Sequence, residues 1–323
     1  MFNLEELRAA HAVVRQALQP TPALVWPLLA RRLGVEVVVK HENHNPTGAF
    51  KVRGGLTFVD ALLRREPKAG GLISATRGNH GQSLAFAARR AGLPVTIFVP
   101  RGNSMEKNAA MRALGAKLIE HGDDFQAARE EAMRVAATSG LRAVPSFHRD
   151  LALGVSTYAL ELLTDHRDLD VLYVAVGQGS GISGCIAARD ALGLKTEIVG
   201  VQAKGAPAYA LSFAAGRIVN TEAAETLADG VATRAPDAES LAVLVKGAAR
   251  VTLVSDDEIA AAVRVYWRDT HNLAEGAGAA PLAAALQERD RLRGKKVGLV
   301  LSGGNIDFEL FQSWVATPSV ANP

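Results

Sequence analysis

Short runs of β-branched and other apolar residues alternate along the chain with longer segments in which apolar residues recur every three or four positions. The short runs predict strands at residues 35–40, 71–75, 95–99, 117–120, 171–176, 197–202, 251–254 and 296–301. The periodic segments predict helices, with examples at residues 56–65, 82–91, 124–138, 156–163 and 258–270. The alternation predicts an α/β fold in which parallel sheets carry helices on both faces. Residues 317–323 are expected to form a loose tail.

Composition and charge narrow the class of protein. The 323 residues, 48% of them hydrophobic, suffice for one large α/β domain or two smaller ones. The net charge of +3 is too small and too evenly spread to indicate nucleic-acid binding. The single cysteine, Cys185, excludes an intramolecular disulfide. The amino terminus does not resemble a signal peptide, and no apolar run would span a bilayer. We therefore expect a soluble, cytoplasmic protein with no membrane partner.

Four glycine-rich or polar segments follow predicted strands, which is where open α/β sheets bind ligands. They lie at residues 45–54, 74–82, 176–184 and 301–305. The third, VGQGSGISG, leaves a run of unhindered backbone amides before a helix, which suits a phosphate group. A dinucleotide site is disfavoured, because this loop lies mid-chain and no acidic residue ends the next predicted strand.

Lys51 stands in the first segment, NPTGAFKVRG, after a turn signal and at the expected start of a helix. We expect the helix dipole and the neighbouring Arg53 to lower the pKa of Lys51. A lower pKa favours the neutral amine, which is the nucleophilic form. Taken alone, such a lysine would more often be a solvated side chain at an exposed helix start.

The four segments, in this order, resemble the motifs of the fold type II (β-family) enzymes that depend on pyridoxal 5'-phosphate (PLP). They are most similar to those of threonine dehydratase, serine dehydratase and serine racemase, and the resemblance runs from about residue 20 to residue 305. It implies PLP as cofactor, held as a Schiff base by Lys51. It also implies two parallel-sheet α/β domains of the tryptophan synthase β type, and a homodimer. The large domain would comprise residues 1–71 and 146–323, and residues 72–145 would form a nested small domain.

The resemblance assigns roles to individual residues. It implies cofactor contacts for Phe50, Lys51, Asn79, Gly177, Gln178, Gly179, Ser180, Gly181, Gly230, Glu275 and Ser302. It implies substrate contacts for Thr76, Arg77 and His80. Ser302 would contact the ring nitrogen, where a hydroxyl favours β-elimination over transamination because it does not hold that nitrogen protonated.

Two departures from the family pattern bear on activity. The position before Gly78 is usually small, and in serine racemase it is a serine that acts as the second acid/base. Arg77 cannot take up a proton, so racemisation by this route is disfavoured. Arg77 either pairs with a second anionic group of the substrate or points to solvent. Serine racemase also binds a divalent cation, whose ligand positions are matched here by Gln202, Ala206 and Ala208, so we predict no metal.

The predicted function is that of a PLP-dependent ammonia-lyase acting on L-threonine or L-serine to give a 2-oxo acid and ammonia. The alternative is a dehydratase of an acidic or modified β-hydroxy amino acid, such as 3-hydroxyaspartate or a hydroxyectoine-derived compound. His80 argues against a transferase of the cysteine synthase type, which usually carries threonine there. Lys51, Asn79 and Ser302 argue against a non-catalytic PLP-binding protein.

Overall fold

The computed structural model describes residues 1–316, in which two sheets carry helices on their faces. The predicted tail at 317–323 lies outside the described residues. The strands are β1 (Ala23–Val25), β2 (Val37–His41), β3 (Leu72–Ala75), β4 (Val95–Val99), β5 (Lys117–Glu120), β6 (Arg142–Ala143), β7 (Val171–Ala175), β8 (Glu197–Ala203), β9 (Arg250–Val254) and β10 (Val297–Leu301).

The larger sheet has the order β1-β2-β10-β7-β8-β9, and only its edge strand β1 is antiparallel. The smaller sheet, β5-β4-β3-β6, is parallel throughout. Its four strands all come from residues 72–143. The exact boundaries of a nested domain at 72–145 stay a prediction.

The helices between the strands cover both sheets. They are α1 (Leu4–Arg15), α2 (Pro27–Leu33), α3 (Lys51–Arg65), α4 (Asn79–Arg90), α5 (Met105–Ala113), α6 (Phe125–Ser139), α7 (Arg149–Asp165), α8 (Ser180–Ala191), α9 (Ala208–Ala215), α10 (Ala238–Gly247), α11 (Asp256–Thr270), α12 (Gly276–Gln287) and α13 (Phe308–Ala316). Short 3₁₀ turns occur at Glu42–His44, Asp229–Val231 and Arg289–Leu292. None of the helices within residues 1–316 is long and apolar enough to cross a membrane.

The core lies between each sheet and its helices. The central strand β10 is buried along its whole length and packs against α12, an alanine-rich helix whose small side chains allow close approach. Burying a leucine such as Leu299 contributes about 1.5–3 kcal/mol. Truncating Leu299 to alanine would therefore cost about 2–5 kcal/mol, since a cavity would also remain.

The predicted parallel α/β architecture is confirmed, and all eight predicted strands exist with ends displaced by at most two residues. Strands β1 and β6 were missed because runs of three and two residues carry no usable alternation. The predicted helix at 156–163 is longer than expected. It begins at Arg149, where the His148 side chain accepts a hydrogen bond from the Asp150 amide.

The sheet order brings the functional segments together. Strands β2, β10 and β7 are parallel neighbours, so the segments after them, 45–54, 301–305 and 176–184, meet at one edge. Two contacts join the 45–54 segment to the 301–305 segment. Ala49 and Gly303 form an isolated bridge, and the Phe50 amide donates to the Ser302 carbonyl at 2.9 Å. The remaining segment, 74–82, follows β3 of the smaller sheet.

Candidate active site

Lys51 begins α3, and its side chain reaches across to the start of α8. Its Nζ lies 3.4 Å from Ser180 Oγ and 5.1 Å from the centroid of the Phe50 ring. Burial lowers the pKa of Lys51 to about 8, while the nearby Glu275 carboxylate opposes this shift. The amine is therefore partly neutral near pH 8, as a nucleophilic lysine requires.

The expectation that Arg53 lowers the pKa of Lys51 is wrong. The Arg53 guanidinium is fully buried and turned towards Glu42 and Glu161, to which it donates at 2.8 Å each. Its charge is compensated there, and desolvation of the Lys51 amine is the cause that lowers its pKa. This buried ion-pair network ties the first turn of α3 to α7 and to the 3₁₀ turn after β2, and so fixes the helix that carries Lys51.

Backbone amides converge beside Lys51 in the loop between β7 and α8. Gly179 adopts φ +89°, and a Cβ at Gly177 would lie 2.2 Å from the Gly230 carbonyl oxygen, so glycine is required there by close approach. The first amides of α8 have no partners within the helix. Together with the Ser180 hydroxyl they form an anion site within reach of the Lys51 amine.

Asn79, Glu275 and Asn305 form a hydrogen-bonded chain that links α4, α12 and the 301–305 segment. Asn79 Nδ2 donates to Glu275 Oε1 at 2.8 Å, and Asn305 Nδ2 donates to Asn79 Oδ1 at 2.7 Å. Glu275 is 3% exposed, and burial raises its pKa to about 7, although Lys107 opposes the shift. Glu275 Oε2 has no hydrogen-bond partner among residues 1–316.

Thr76 lies in the loop between β3 and α4, and His80 follows Asn79 in the first turn of α4. Burial, reinforced by the Lys51 charge, lowers the pKa of His80 to about 3, so its ring is neutral. His80 Nε2 is buried and has no hydrogen-bond partner in the described part of the chain. Thr76 Oγ1 accepts from the Gly78 amide at 3.0 Å and shapes the loop. An unpartnered nitrogen beside Lys51 is free for a bound ligand.

A cavity of about 230 Å³ is lined in part by Glu275, Asn305 and Arg77. The cations and carboxylates around it are mostly paired: Lys107 pairs with Asp229, and Arg101 with Asp123 at 2.9 Å. The Arg77 side chain is exposed and makes no hydrogen bond or ion pair with the described residues.

The sequence analysis assigned no role to three side chains that lie at the site: Asn305, Lys107 and Asp229. Asn305 stood in the SGGN segment, but its contact with Asn79 spans 226 residues and depends on sheet order. Lys107 and its partner Asp229 are 122 residues apart, and no motif marks the lysine. Gln178, Gly181 and Ser302 lie in the segments that meet at the edge of the larger sheet, and Ser302 is 6% exposed. Gly230 lies in the 3₁₀ turn Asp229–Val231.

Gln202 occupies one of the positions that match the cation ligands of serine racemase. Its Oε1 accepts from the Ala210 amide at 2.9 Å, and its Nε2 lies 3.4 Å from the Val176 carbonyl oxygen. Both ends of this buried amide are therefore engaged by backbone. No group of three or more metal-ligating side chains occurs within residues 1–316. The absence of a metal from the enzyme stays a prediction.

Comparisons with known proteins identify the family. The family model described as "Pyridoxal-phosphate dependent enzyme" matches residues 14–303. The chain belongs to this family, and its cofactor is PLP. It is 34% identical over 311 residues to an L-threonine ammonia-lyase of Thermotoga maritima, covering 96% of this chain and 77% of that protein. It is 31% identical over 304 residues to an L-threo-3-hydroxyaspartate ammonia-lyase of Saccharomyces cerevisiae, covering 94% of this chain and 93% of that protein.

Solved structures agree with this assignment. Maize serine racemase superimposes with a TM-score of 0.90 at 27% identity, covering 96% of both chains. The threonine deaminase of tomato (Solanum lycopersicum), in its processed form, superimposes with the same TM-score of 0.90 at 27% identity, covering 98% of this chain and 95% of that chain. The predicted fold class, that of the fold type II PLP enzymes, is confirmed.

The residues at the site fit the cofactor chemically. A lysine with a lowered pKa can bind its aldehyde, and the glycine-rich loop before α8 offers donors to its phosphate. The unpartnered His80 Nε2 and Glu275 Oε2 are buried polar atoms that the protein alone leaves unsatisfied. Leaving such atoms unpaired costs free energy, which a bound polar group in contact with them would offset.

Proposed function

We propose that this chain is a PLP-dependent ammonia-lyase that converts L-threonine or L-serine into a 2-oxo acid and ammonia. The observation that carries the proposal is the position of the Lys51 amine, 3.4 Å from Ser180 in the glycine-rich loop, with a pKa lowered to about 8. The L-threonine ammonia-lyases of Thermotoga maritima and Geobacter sulfurreducens, at 34% and 38% identity, support this substrate class.

The cofactor supplies the electron withdrawal that acidifies the substrate's α-proton and allows the β-hydroxyl group to leave. Lys51 Nζ is the base we assign to the α-proton, because it is the partly neutral amine nearest the loop that holds the phosphate. The proton taken by Nζ must later return to solvent or product.

Side chains from the loop after β3 hold the substrate in this proposal. The neutral His80 lies near Lys51, and Thr76 stands four residues before it in the loop after β3; we assign both to the substrate. Asn79 is assigned to the cofactor ring, and its orientation is fixed by the bonds to Glu275 and Asn305. Such fixed donors act without reorganising during the reaction.

A second candidate is a lyase for a β-hydroxy amino acid with a second carboxylate, such as 3-hydroxyaspartate. Arg77 favours it, because this arginine lines the cavity beside Glu275 and has no partner within residues 1–316. The L-threo-3-hydroxyaspartate ammonia-lyases of Saccharomyces cerevisiae and a Pseudomonas species, each 31% identical to this chain, also support it.

Release of 2-oxo acid by the PLP-loaded protein tests both candidates in one experiment. The panel is L-threonine, L-serine, D-serine and the isomers of 3-hydroxyaspartate. Turnover of L-threonine or L-serine supports the first candidate, and turnover restricted to 3-hydroxyaspartate supports the second. Formation of the opposite enantiomer without 2-oxo acid would contradict both and indicate a racemase.

Assembly and location complete the proposal. We propose a homodimer in the cytoplasm, with residues 72–145 as a nested domain around the smaller sheet. The fold family supports the dimer, and one buried free cysteine, Cys185, suits a reducing compartment. Light scattering of the purified protein would measure the dimer directly, and a mass near the 34.0 kDa of one chain would contradict it.

A further inference from the structure

Helix α9 packs beneath the glycine-rich loop and places Tyr209 against it. Tyr209 is 0% exposed. Its hydroxyl lies 3.0 Å from the Gln178 carbonyl oxygen and 3.0 Å from the Asp237 amide nitrogen, and it also contacts Ser240 Oγ. A hydroxyl has one proton to donate and two lone pairs to accept with. Donation to Gln178, with acceptance from Asp237 and Ser240, uses all of them.

The loop has little freedom around this contact. Gly177 approaches the Gly230 carbonyl so closely that a Cβ would lie 2.2 Å from its oxygen. A Cβ at Gly179 would lie 2.4 Å from Ser240 Oγ and 3.1 Å from the Tyr209 hydroxyl. Gln178, between these two glycines, is held by its carbonyl through Tyr209. The direction of the amides that follow Gln178 therefore depends on that bond.

The same helix reaches the other side of the loop through Gln202. The Ala210 amide, next to Tyr209, donates to Gln202 Oε1 at 2.9 Å, and Gln202 Nε2 lies 3.4 Å from the Val176 carbonyl oxygen. Helix α9 thus holds the backbone at Val176 and at Gln178, on both sides of Gly177. Asp237, which caps α10 through a bond to the Ser240 amide, completes the support from a second helix.

We propose that Tyr209 is a positioning residue for the cofactor phosphate, which it serves by fixing the Gln178 carbonyl and thereby aiming the loop amides. The proposal rests on the assignment of the phosphate to residues 177–181. Burial raises the pKa of Tyr209 to about 12, so its proton stays in place to donate at any working pH. Tyr209 itself does not reach the reacting atoms.

The test compares Tyr209→Phe with a matched control, Tyr266→Phe. Tyr266 is also fully buried, but its hydroxyl has no hydrogen-bond partner in the described chain. The full-length protein, freed of cofactor, is titrated with PLP and separately with pyridoxal, which lacks the phosphate. We expect Tyr209→Phe to raise the Kd for PLP about tenfold, because it leaves the Gln178 carbonyl and the Asp237 amide unpaired. The Kd for pyridoxal should stay within about twofold of wild type, and Tyr266→Phe should change neither.

Two further variants keep the outcome decisive. Ser240→Ala is the substitute test in case Tyr209→Phe does not fold. It removes the hydroxyl that contacts Tyr209 and should raise the Kd for PLP about threefold. Ser180→Ala tests the site itself, because loss of a loop hydroxyl should weaken PLP binding if the phosphate lies there. Unchanged PLP affinity in Tyr209→Phe, or equal loss for PLP and pyridoxal, would overturn the positioning role. Unchanged affinity in Ser180→Ala would overturn the phosphate site, and neither outcome depends on which substrate the enzyme uses.

Discussion

Lys51 Nζ lies 3.4 Å from Ser180 Oγ, although 129 positions separate the two residues in the chain. The contact forms because β2 and β7 flank β10 in the larger sheet, so the segments after them meet at its carboxyl edge. It places the only assigned base next to the only loop assigned to phosphate. In the proposed function this lysine therefore serves both cofactor attachment and proton transfer from one position.

Lys51→Ala should abolish turnover while the loop still binds phosphate. We expect 2-oxo acid release to fall by at least about 10²–10⁴-fold, the usual contribution of a general base. The variant should retain measurable affinity for inorganic phosphate, because Ser180 and the α8 amides are untouched. Lys204→Ala is the control for the loss of a lysine outside the site, because the Lys204 side chain is 54% exposed and pairs with Glu258. Undiminished turnover in Lys51→Ala would contradict the assignment of Lys51.

Capture of PLP by the cofactor-free protein should depend on pH through Lys51. Its pKa is lowered to about 8, so the amine is protonated below that pH and becomes neutral as the pH rises through it. The capture rate, followed by the absorbance of free PLP, should therefore rise with a midpoint near pH 8 and level off above about pH 9. Glu275 raises the pKa of Lys51, so Glu275→Gln should move the midpoint to lower pH. A midpoint near 10.5, the ordinary value for lysine, would show that burial does not act on this amine.

The sequence predicted the strands and the four segments well, because both depend on local pattern. Strands β4 and β5 were predicted with the bounds that the structure has. Contacts between distant side chains could not be predicted in the same way. Arg53 illustrates this: it stands two residues after Lys51, but packing turns its guanidinium to Glu42 and Glu161. Tyr209 carries no motif, and a lone tyrosine in an alanine-rich helix is more often only part of the core.

Glu161→Gln should destabilise the protein strongly. Its carboxylate accepts from Arg53 at 2.8 Å and from Lys40 at 2.6 Å, and both cations are buried. Removing the charge leaves Lys40 without a carboxylate partner and Arg53 with Glu42 alone. We expect this to cost about 3–5 kcal/mol in the free energy of unfolding. Urea denaturation would measure it. Asp290→Asn is the control, since Asp290 and its partner Arg293 are 89% and 84% exposed and the loss should be slight.

The same carboxylate predicts the direction of acid sensitivity. Burial by itself would raise the pKa of Glu161, but its bonds to His11 and Arg53 outweigh burial and hold that pKa below its ordinary value of 4.5. A depressed carboxyl pKa stabilises the fold above the unfolded-state value, and this stabilisation is lost as the pH falls towards the folded-state value. Wild type should therefore lose stability below about pH 4.5, and Glu161→Gln should lose less over the same interval. Parallel pH profiles for the two proteins would contradict a role for Glu161 in acid unfolding.

Arg77→Ser should change which substrates the enzyme prefers. Arg77 lines the cavity beyond Glu275 and lacks a partner among residues 1–316, so a distal carboxylate of the substrate can pair with it. A charge-assisted hydrogen bond contributes about 1.5–3 kcal/mol, so the ratio of kcat/KM for 3-hydroxyaspartate to that for L-threonine should fall about 10- to 100-fold. Arg101→Ser is the matched control, because Arg101 lines the same cavity but is already paired with Asp123. An equal change in both variants would indicate a general effect of charge around the cavity. An unchanged ratio in Arg77→Ser would mean that this guanidinium points to solvent in the working enzyme and that specificity is set nearer to Lys51.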